Sequence, residues 1–570
     1  MIIKEIFKIL SSSKKKEYPK ILFFIFCVSI FELFSISLIL PLIGFILNPE
    51  FIEKINIEFV RYMYSILGRV NFVLFSIIMF IFSVGLKNFS IYLLYRKIFN
   101  FIYSVESETS IRLLKEYLKR PYLFFINTNS GFLINNLTQE IYKFNDVLLN
   151  SFFLINELFL FFGIILILMF VSPETTIFLS LIFFLFGIIF VKIYKKKQEK
   201  LGKELVGYDK KKIKILNEIF NSIKDLILYD AKNFFAEIYK NNLSGSVKIR
   251  GSQSVLRNVP KLFIETFVIF AVCLILFYSV SQNIDFNLFL PQIGLFVISA
   301  IRLIPSVTKA AYAFQILTFG KETVLILNNE INHINEFKNK EENVEVLKLN
   351  NTIELKNIKF SYDNSKYIHY DFDIKIKKNS FTGIVGKSGT GKTTLLNLIL
   401  GLVPINSGSL LIDKQEISNK EKLLSGWRQN IGYVPQSIYL LDDTLRANIA
   451  FGVKENEINL ENLNRAIEYS KVNEFIKDWP EGYDTIIGEK GGKVSGGQLQ
   501  RIGIARALYN NPDIIILDEA TSALDENLER KIIEILYDLK KIKTIIIVTH
   551  RSTNLYNCDQ IIDLNKIKNV

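Results

Sequence analysis

Gly386, Gly391, Lys392 and Thr393, in GIVGKSGTGKTTLLNLILG, stand at the spacing of a phosphate cradle. Glycines let backbone N–H groups fold around phosphate oxygens. The lysine reaches the β and γ oxygens, and the threonine hydroxyl is a ligand for Mg²⁺. Lys387, Ser388, Gly389 and Thr390 fill the loop, and Thr394 follows it. An acidic partner lies in DIIILDEATSALD, where Asp518 ends an apolar strand and holds Mg²⁺ through water. Glu519, next to it, is placed to orient or deprotonate an attacking water. A further strand, TIIIVTHR, ends in His550, positioned for a γ-phosphate. A second anion site is written into KVSGGQLQRIGIARAL, in which Ser495, Gly496 and Gly497 open a helix. The first N–H groups of a helix have no internal partner, and the helix dipole favours negative charge there. One chain thus carries two phosphate-facing helix starts.

These residues need elements to hold them, and the chain divides into two kinds of sequence. Before about residue 320, apolar runs are long enough to cross a bilayer; after it, short strand-length runs alternate with polar turns. Half of the 570 residues are hydrophobic, with 49 Phe and 25 Tyr. Six spans are expected, at roughly 20–47, 70–97, 145–171, 174–195, 258–281 and 286–318, in a domain covering 1–320. A linker is expected over 321–350 and the nucleotide-binding domain over 351–570. The net charge of +13 sits partly in Lys14–Lys16, Lys195–Lys197 and Lys210–Lys212, beside apolar runs. That distribution reads as a positive-inside bias rather than a nucleic-acid surface, and it places both termini in the cytoplasm. Cys27, Cys273 and Cys558 are far apart and His333, His369 and His550 show no ligand spacing, so neither a disulfide framework nor a protein-ligated metal cluster is expected.

The start, MIIKEIFKIL, reads as an amphipathic elbow helix at the interface. The polar stretches after the second and fourth spans predict helices continuing beyond the bilayer, each capped by a short segment, RPYLFFINTNSG or NSIKDLILYDAKN. Between the first two spans, Ile52, Ile55, Phe59, Met63 and Ile66 predict an amphipathic helix at the outer surface. Glu32, Lys87, Glu157, Lys261, Glu265, Arg302 and Lys309 lie in or near spans, where charge is costly unless it faces a bundle interior or a watery cavity. Arg302 is a candidate contact for an anionic substrate.

The second half resembles the nucleotide-binding domain of ABC transporters. The resemblance implies that Tyr362 of FSY stacks on adenine and that Gln436 of YVPQS senses Mg²⁺. It places Asp525 of SALD at a dimer interface and implies that VSGGQ, with Ser495, Gly496, Gly497 and Gln498, covers the γ-phosphate of ATP held by a partner's Lys392 loop. Val494 stands where the family has leucine. With one cassette per chain, a homodimer of twelve spans follows, binding ATP and Mg²⁺ at two shared sites. The fold class implied is a six-helix, all-α exporter-type membrane domain followed by an α/β P-loop cassette. FELFSISLILPLIGFI, the outer helix and LFVISAIRLIPSV resemble bacterial flippases for lipid-linked oligosaccharides in protein N-glycosylation. That implies an inner-membrane translocase moving a polyprenyl-pyrophosphate glycan to the outer leaflet, with Lys87, Lys261 and Arg302 meeting the pyrophosphate. Export of a peptide, drug or other lipid is the alternative, and a regulatory membrane ATPase without transport is a further one.

Overall fold

The structure is a computed structural model that describes residues 2–38, 42, 58–171, 173–281, 286–332, 344–362, 368–369, 373–477, 479–488, 494–521, 525–549, 555–556 and 558–566. Two compact units emerge: Met1–Arg120 with Asn127–Asn339, and Pro121–Ile126 with Lys340–Val570.

The first unit is helical. Its elements are α1 (Ile2–Ile9), α2 (Ser12–Ser37), α3 (Glu58–Leu118), α5 (Ser130–Asn135), α6 (Ile141–Val171), α7 (Pro173–Asn221), α8 (Ile223–Leu228), α9 (Lys232–Ser281), α10 (Phe286–Phe319) and α11 (Lys321–Asn332); the short α4 (Tyr122–Asn127) belongs, but for its last residue, to the second unit. Among the described residues three helices are long and apolar enough to cross a membrane: Ser12–Ser37, Arg61–Leu118 and Ser130–Phe170. The bent pair Leu303–Phe319 and Lys321–Ile331 makes a fourth if counted as one span. The remaining predicted spans fall on α7, α9 and the start of α10, many of whose side chains, that of Arg302 included, lie outside the described set. The helices do run on past bilayer length: α3 continues from its break at Gly68 to Leu118, and α9 runs for 50 residues.

Two expectations shift. The stretch read as the start of a linker, 321–332, is helix α11, with Val324, Leu327 and Ile331 buried in the bundle core. The elbow helix α1 turns its apolar face to protein: Ile6 and Ile9 join that same core, and Glu5 accepts from Asn328 at 2.5 Å. Sequence amphipathicity reports an apolar partner without saying whether it is lipid or helix. The first part of the predicted outer helix, through residue 57, lies outside the described residues. Its end, from Glu58, is helical up to a break at Gly68 (φ 71°). There Met63, Tyr64 and Leu67 pack back on Phe72, while Ile66 is exposed.

The second unit has two sheets. Strand β1 (Thr352–Phe360) pairs antiparallel with β2 (Ile368–His369), β3 (Ile374–Lys377) and β5 (Ser407–Ile412), and β5 pairs with β6 (Gln415–Glu416). The other sheet is parallel, in the order β10 (Gln560–Asp563), β4 (Phe381–Val385), β9 (Thr544–Val548), β8 (Ile514–Asp518), β7 (Ile431–Val434). Helices cover both of its faces, which is why β8 and β9 are uninterrupted apolar runs. Ile515 and Leu517 enter one core and Ile514 and Ile516 the other, as the two-residue period of a strand requires. Helices α12 (Lys392–Ile399), α13 (Leu445–Ile449), α14 (Leu460–Tyr469), α15 (Gly496–Tyr509) and α16 (Glu526–Leu539) complete the unit as used below.

Candidate nucleotide site

Parallel sheets gather their ligands at the carboxyl ends of their strands, because right-handed crossovers point every strand-to-helix loop to that edge. Here β4 runs into the Gly386 loop, β8 into Glu519 and β7 towards Gln436. Gly389 (φ 84°) and Gly391 (φ 91°) take left-handed backbone conformations that a side chain disfavours. At Gly389 an added Cβ would meet nothing, so open space lies where the loop faces outward. Gly391 caps α12 and has no side chain to satisfy the first-turn N–H groups. The loop's base is tied down: Lys387 N–H donates to Asn565 at 2.8 Å, and the Thr390 hydroxyl to the Lys387 carbonyl at 2.9 Å.

Lys392 Nζ donates to the Gly386 carbonyl at 2.8 Å and stands 3.9 Å from Glu519 Oε1. Gln436 Nε2 donates to Glu519 Oε2 at 2.9 Å. Glu519 itself sits at φ 50°, rarely taken by a residue with a side chain, and its N–H donates to the Val548 carbonyl at 3.1 Å. The bend turns the chain at the strand's end, so that two consecutive acids serve different purposes. Asp518 stays in the strand and is buried; burial, and then the charge of Glu519, push its carboxyl above the usual range. Tyr433 donates to Asp518 Oδ2 at 3.4 Å. A lysine, helix N–H groups and a threonine hydroxyl make an anion site, and a crowded carboxylate pair beside them suits a divalent cation. The donor set therefore fits a Mg²⁺ nucleotide.

The structure brings together Gly386 through Thr394, Gln436, Asp518 and Glu519. Tyr362 is close: its hydroxyl lies 3.4 Å from Thr394 Oγ1 and from Asn397 Nδ2, and its ring packs edge-on against Phe360 at 4.7 Å. His550 lies outside the described residues. Ser495 and Asp525 are spent locally. Ser495 caps α15, its hydroxyl accepting Gln498 N–H at 3.3 Å while Gln498 Oε1 accepts Ser495 N–H at 2.8 Å. Asp525 caps α16 through Leu528 N–H at 3.0 Å.

Two contributors escaped the sequence reading. Tyr433 lies within YVPQS, but its contact with Asp518 is legible only once β7 pairs with β8. Arg506, in the last turn of α15, donates to the carbonyls of Asn448 at 2.8 Å and Tyr439 at 2.9 Å, and its guanidinium lies 4.8 Å from the Phe451 ring. It fastens the serine-capped helix to the chain that follows Gln436.

Comparison with known proteins supplies the family. The profile of the family described as ABC transporter matches residues 370–522, and that of the ABC transporter transmembrane region matches residues 20–304. The chain belongs to the ABC transporter family, as an exporter with fused transmembrane and ATP-binding domains. Among curated relatives, an ATP-dependent lipid A-core flippase of Syntrophus aciditrophicus is 40% identical over 239 residues, 41% of this chain and 38% of that protein. A putative export ATP-binding/permease protein of Rickettsia typhi is 32% identical over 453 residues, 77% and 76% of the two chains. The chain thus spans well under half of the first of these and most of the second. In fold it resembles a bacterial Atm1-family ABC exporter solved with ATP bound (TM-score 0.77, 19% identity, 97% of this chain and 94% of that one).

Proposed function

We propose that the protein couples ATP hydrolysis to export across the inner membrane. The observation that carries this reading is the convergence of Lys392, Gln436 and Glu519 at one sheet edge, in a chain that also bears a membrane-spanning helical unit. Lys392 and the loop N–H groups hold the phosphates, and Glu519 orients the attacking water and takes its proton. Thr393, Gln436 and Asp518 would hold Mg²⁺, which supplies charge neutralisation at the phosphates. Ser495 to Gln498 and Asp525 act on the ATP of a second copy of the chain, which makes the working unit a homodimer with cytoplasmic termini. Two features support that assignment. The lysine loop and the serine-capped helix lie about a hundred residues apart in the chain, and the 570 residues hold one of each.

For the cargo, we favour a polyprenyl-pyrophosphate-linked oligosaccharide moved from the inner to the outer leaflet. The resemblance of FELFSISLILPLIGFI and LFVISAIRLIPSV supports it. Lys87, half-buried on α3, suits a pyrophosphate; Lys261 is exposed and pairs with Glu265 at 3.7 Å, a pair that an anion must compete with. The relatives named lipid A-core flippases favour a second reading, an acylated sugar lipid. Proteoliposomes carrying one or the other fluorescent lipid separate the two. ATP-dependent flipping of the pyrophosphate lipid, lost on Arg302→Glu with basal ATPase retained, is the expected result. Transport of neither lipid ends both.

A further inference from the structure

Inside the helical unit, α2, α3, α6 and α10 enclose a cavity of about 370 Å³, within the range of ligand pockets. Its polar lining comes from Glu32, Asn150, Asn156, Glu157 and Lys309. Glu32 and Glu157 are each at most 5% exposed. Glu157 Oε2 accepts the Ser306 hydroxyl at 2.6 Å, and Ser29 donates to Asn156 Oδ1 at 3.5 Å. Tyr95, Phe153 and Tyr312 add aromatic surface, with the Tyr95 and Phe153 rings edge-to-face at 6.1 Å. Polar side chains within spanning helices are expensive, and their concentration around one cavity gives it a wall suited to a polar occupant.

The composition narrows that occupant. Two carboxylates repel a phosphate, while the amide, phenol and Lys309 ammonium donors beside them give a cation nothing to bind. Amides and phenols both donate and accept, and carboxylates accept from hydroxyls, as Glu157 already does from Ser306. Aromatic faces carry partial negative charge and suit the weakly positive C–H face of a saturated ring. A neutral polyhydroxylated ring meets every one of these groups.

We infer that this cavity is a glycosyl subsite, taking the neutral sugar moiety of a glycolipid whose anionic group is held elsewhere. The inference rests on the glycolipid reading for the parent cargo but not on the identity of its lipid or linker.

The test uses the full-length protein in nanodiscs and two photoreactive probes. One is an alkyl maltoside with a diazirine beside the sugar, and the other has the same chain and diazirine on an oligo(ethylene glycol) head. Adducts are mapped by mass spectrometry. Maltoside adducts on 91–98 and 150–157 are expected to exceed the control about fivefold, the worth of roughly one hydrogen bond, and to be competed by non-photoreactive maltoside. Asn156→Ala and Tyr95→Phe should each bring labelling down to the control, with melting temperature reporting that the variants fold. Equal labelling by both probes, or adducts concentrated on exposed α3 positions such as Ile78 and Phe82, overturns the subsite. Flipping of the pyrophosphate lipid is read separately. A labelled cavity without such flipping sinks the lipid assignment and leaves the subsite standing; flipping without sugar-dependent labelling does the reverse.

Discussion

Two helix starts in the second unit are built from similar residues and left in opposite states. Helix α12 begins at Gly391, whose lack of a side chain leaves the first N–H groups without a cap. Helix α15 begins at Ser495, and its capping box with Gln498 satisfies donors on both sides of the cap. Beside the first stand Lys392 and two carboxylates; the second is closed on itself. Glycine richness alone therefore does not make an anion site ready. The uncapped helix is poised to bind phosphate by itself, whereas the capped one must meet a phosphate delivered to it with its donors already partly engaged. That asymmetry is the physical basis for assigning the first to nucleotide binding and the second to a later, shared step.

The sharpest way to break the comparison is to disable each start in turn. Lys392→Ala removes a charge-assisted partner, and ATP affinity should fall on the order of 100-fold in equilibrium binding. Ser495→Ala should leave that affinity within about twofold yet slow hydrolysis on the order of 100-fold, as loss of one transition-state donor does. Equal loss of binding in both variants would erase the distinction. Glu519→Gln sharpens it further. The amide cannot take a proton from water, so hydrolysis should drop about 10²–10⁴-fold while ATP still binds. A stable, ATP-dependent dimer should then appear in size-exclusion chromatography, and near-normal turnover would remove Glu519 from the chemistry.

A smaller effect follows from the crowding of acids at the lysine end. Asp518 has its carboxyl pushed upward by burial and by Glu519. A carboxyl raised in the folded state favours folding at low pH, and that contribution is lost as pH rises through the folded value. Asp518→Asn should therefore raise the melting temperature of the nucleotide-free protein at neutral pH by a few degrees, flatten its pH dependence above the ordinary carboxylate range, and abolish Mg²⁺-dependent hydrolysis. A lower melting temperature at every pH would mean that Asp518 is structural. Nothing comparable is expected at Ser495, where among the described residues no such acid pair adjoins the cap.

How legible these features are in sequence follows from how local they are. Lys392 with its glycines, Asp518 with Glu519, and Ser495 with Gly496 and Gly497 each sit within one loop and its flanking elements, so spacing alone exposes them; Gln498 is reached through the family signature. Gln436 came from family resemblance, and only the pairing of β7 with β8 explains why it meets Glu519. In the helical unit the cavity draws Glu32, Tyr95, Glu157 and Lys309 from four helices. The two acids and the lysine each stand out in the sequence as a costly charge, and no spacing rule joins residues so far apart. The apolar face of α1 is legible in the sequence, whereas 321–332 reads as linker; an apolar stripe does not name its partner, and here the two helices share one core.

The finest test concerns the cap itself. Gln498→Ala breaks half of the capping box and leaves the Ser495 hydroxyl in place. The reciprocal bond is worth ~0.5–1 kcal/mol, so the melting temperature should fall by ~1–4 °C. Because Gln498 and Lys392 start different helices, ATP affinity measured below the dimerisation concentration should not move. A shift in that affinity comparable to the one from Lys392→Ala would show that the two starts act on the same bound nucleotide within one chain. In that case the closed cap of α15 is no sign of a site waiting for a second copy, and the contrast between the helix starts reduces to a difference in stability.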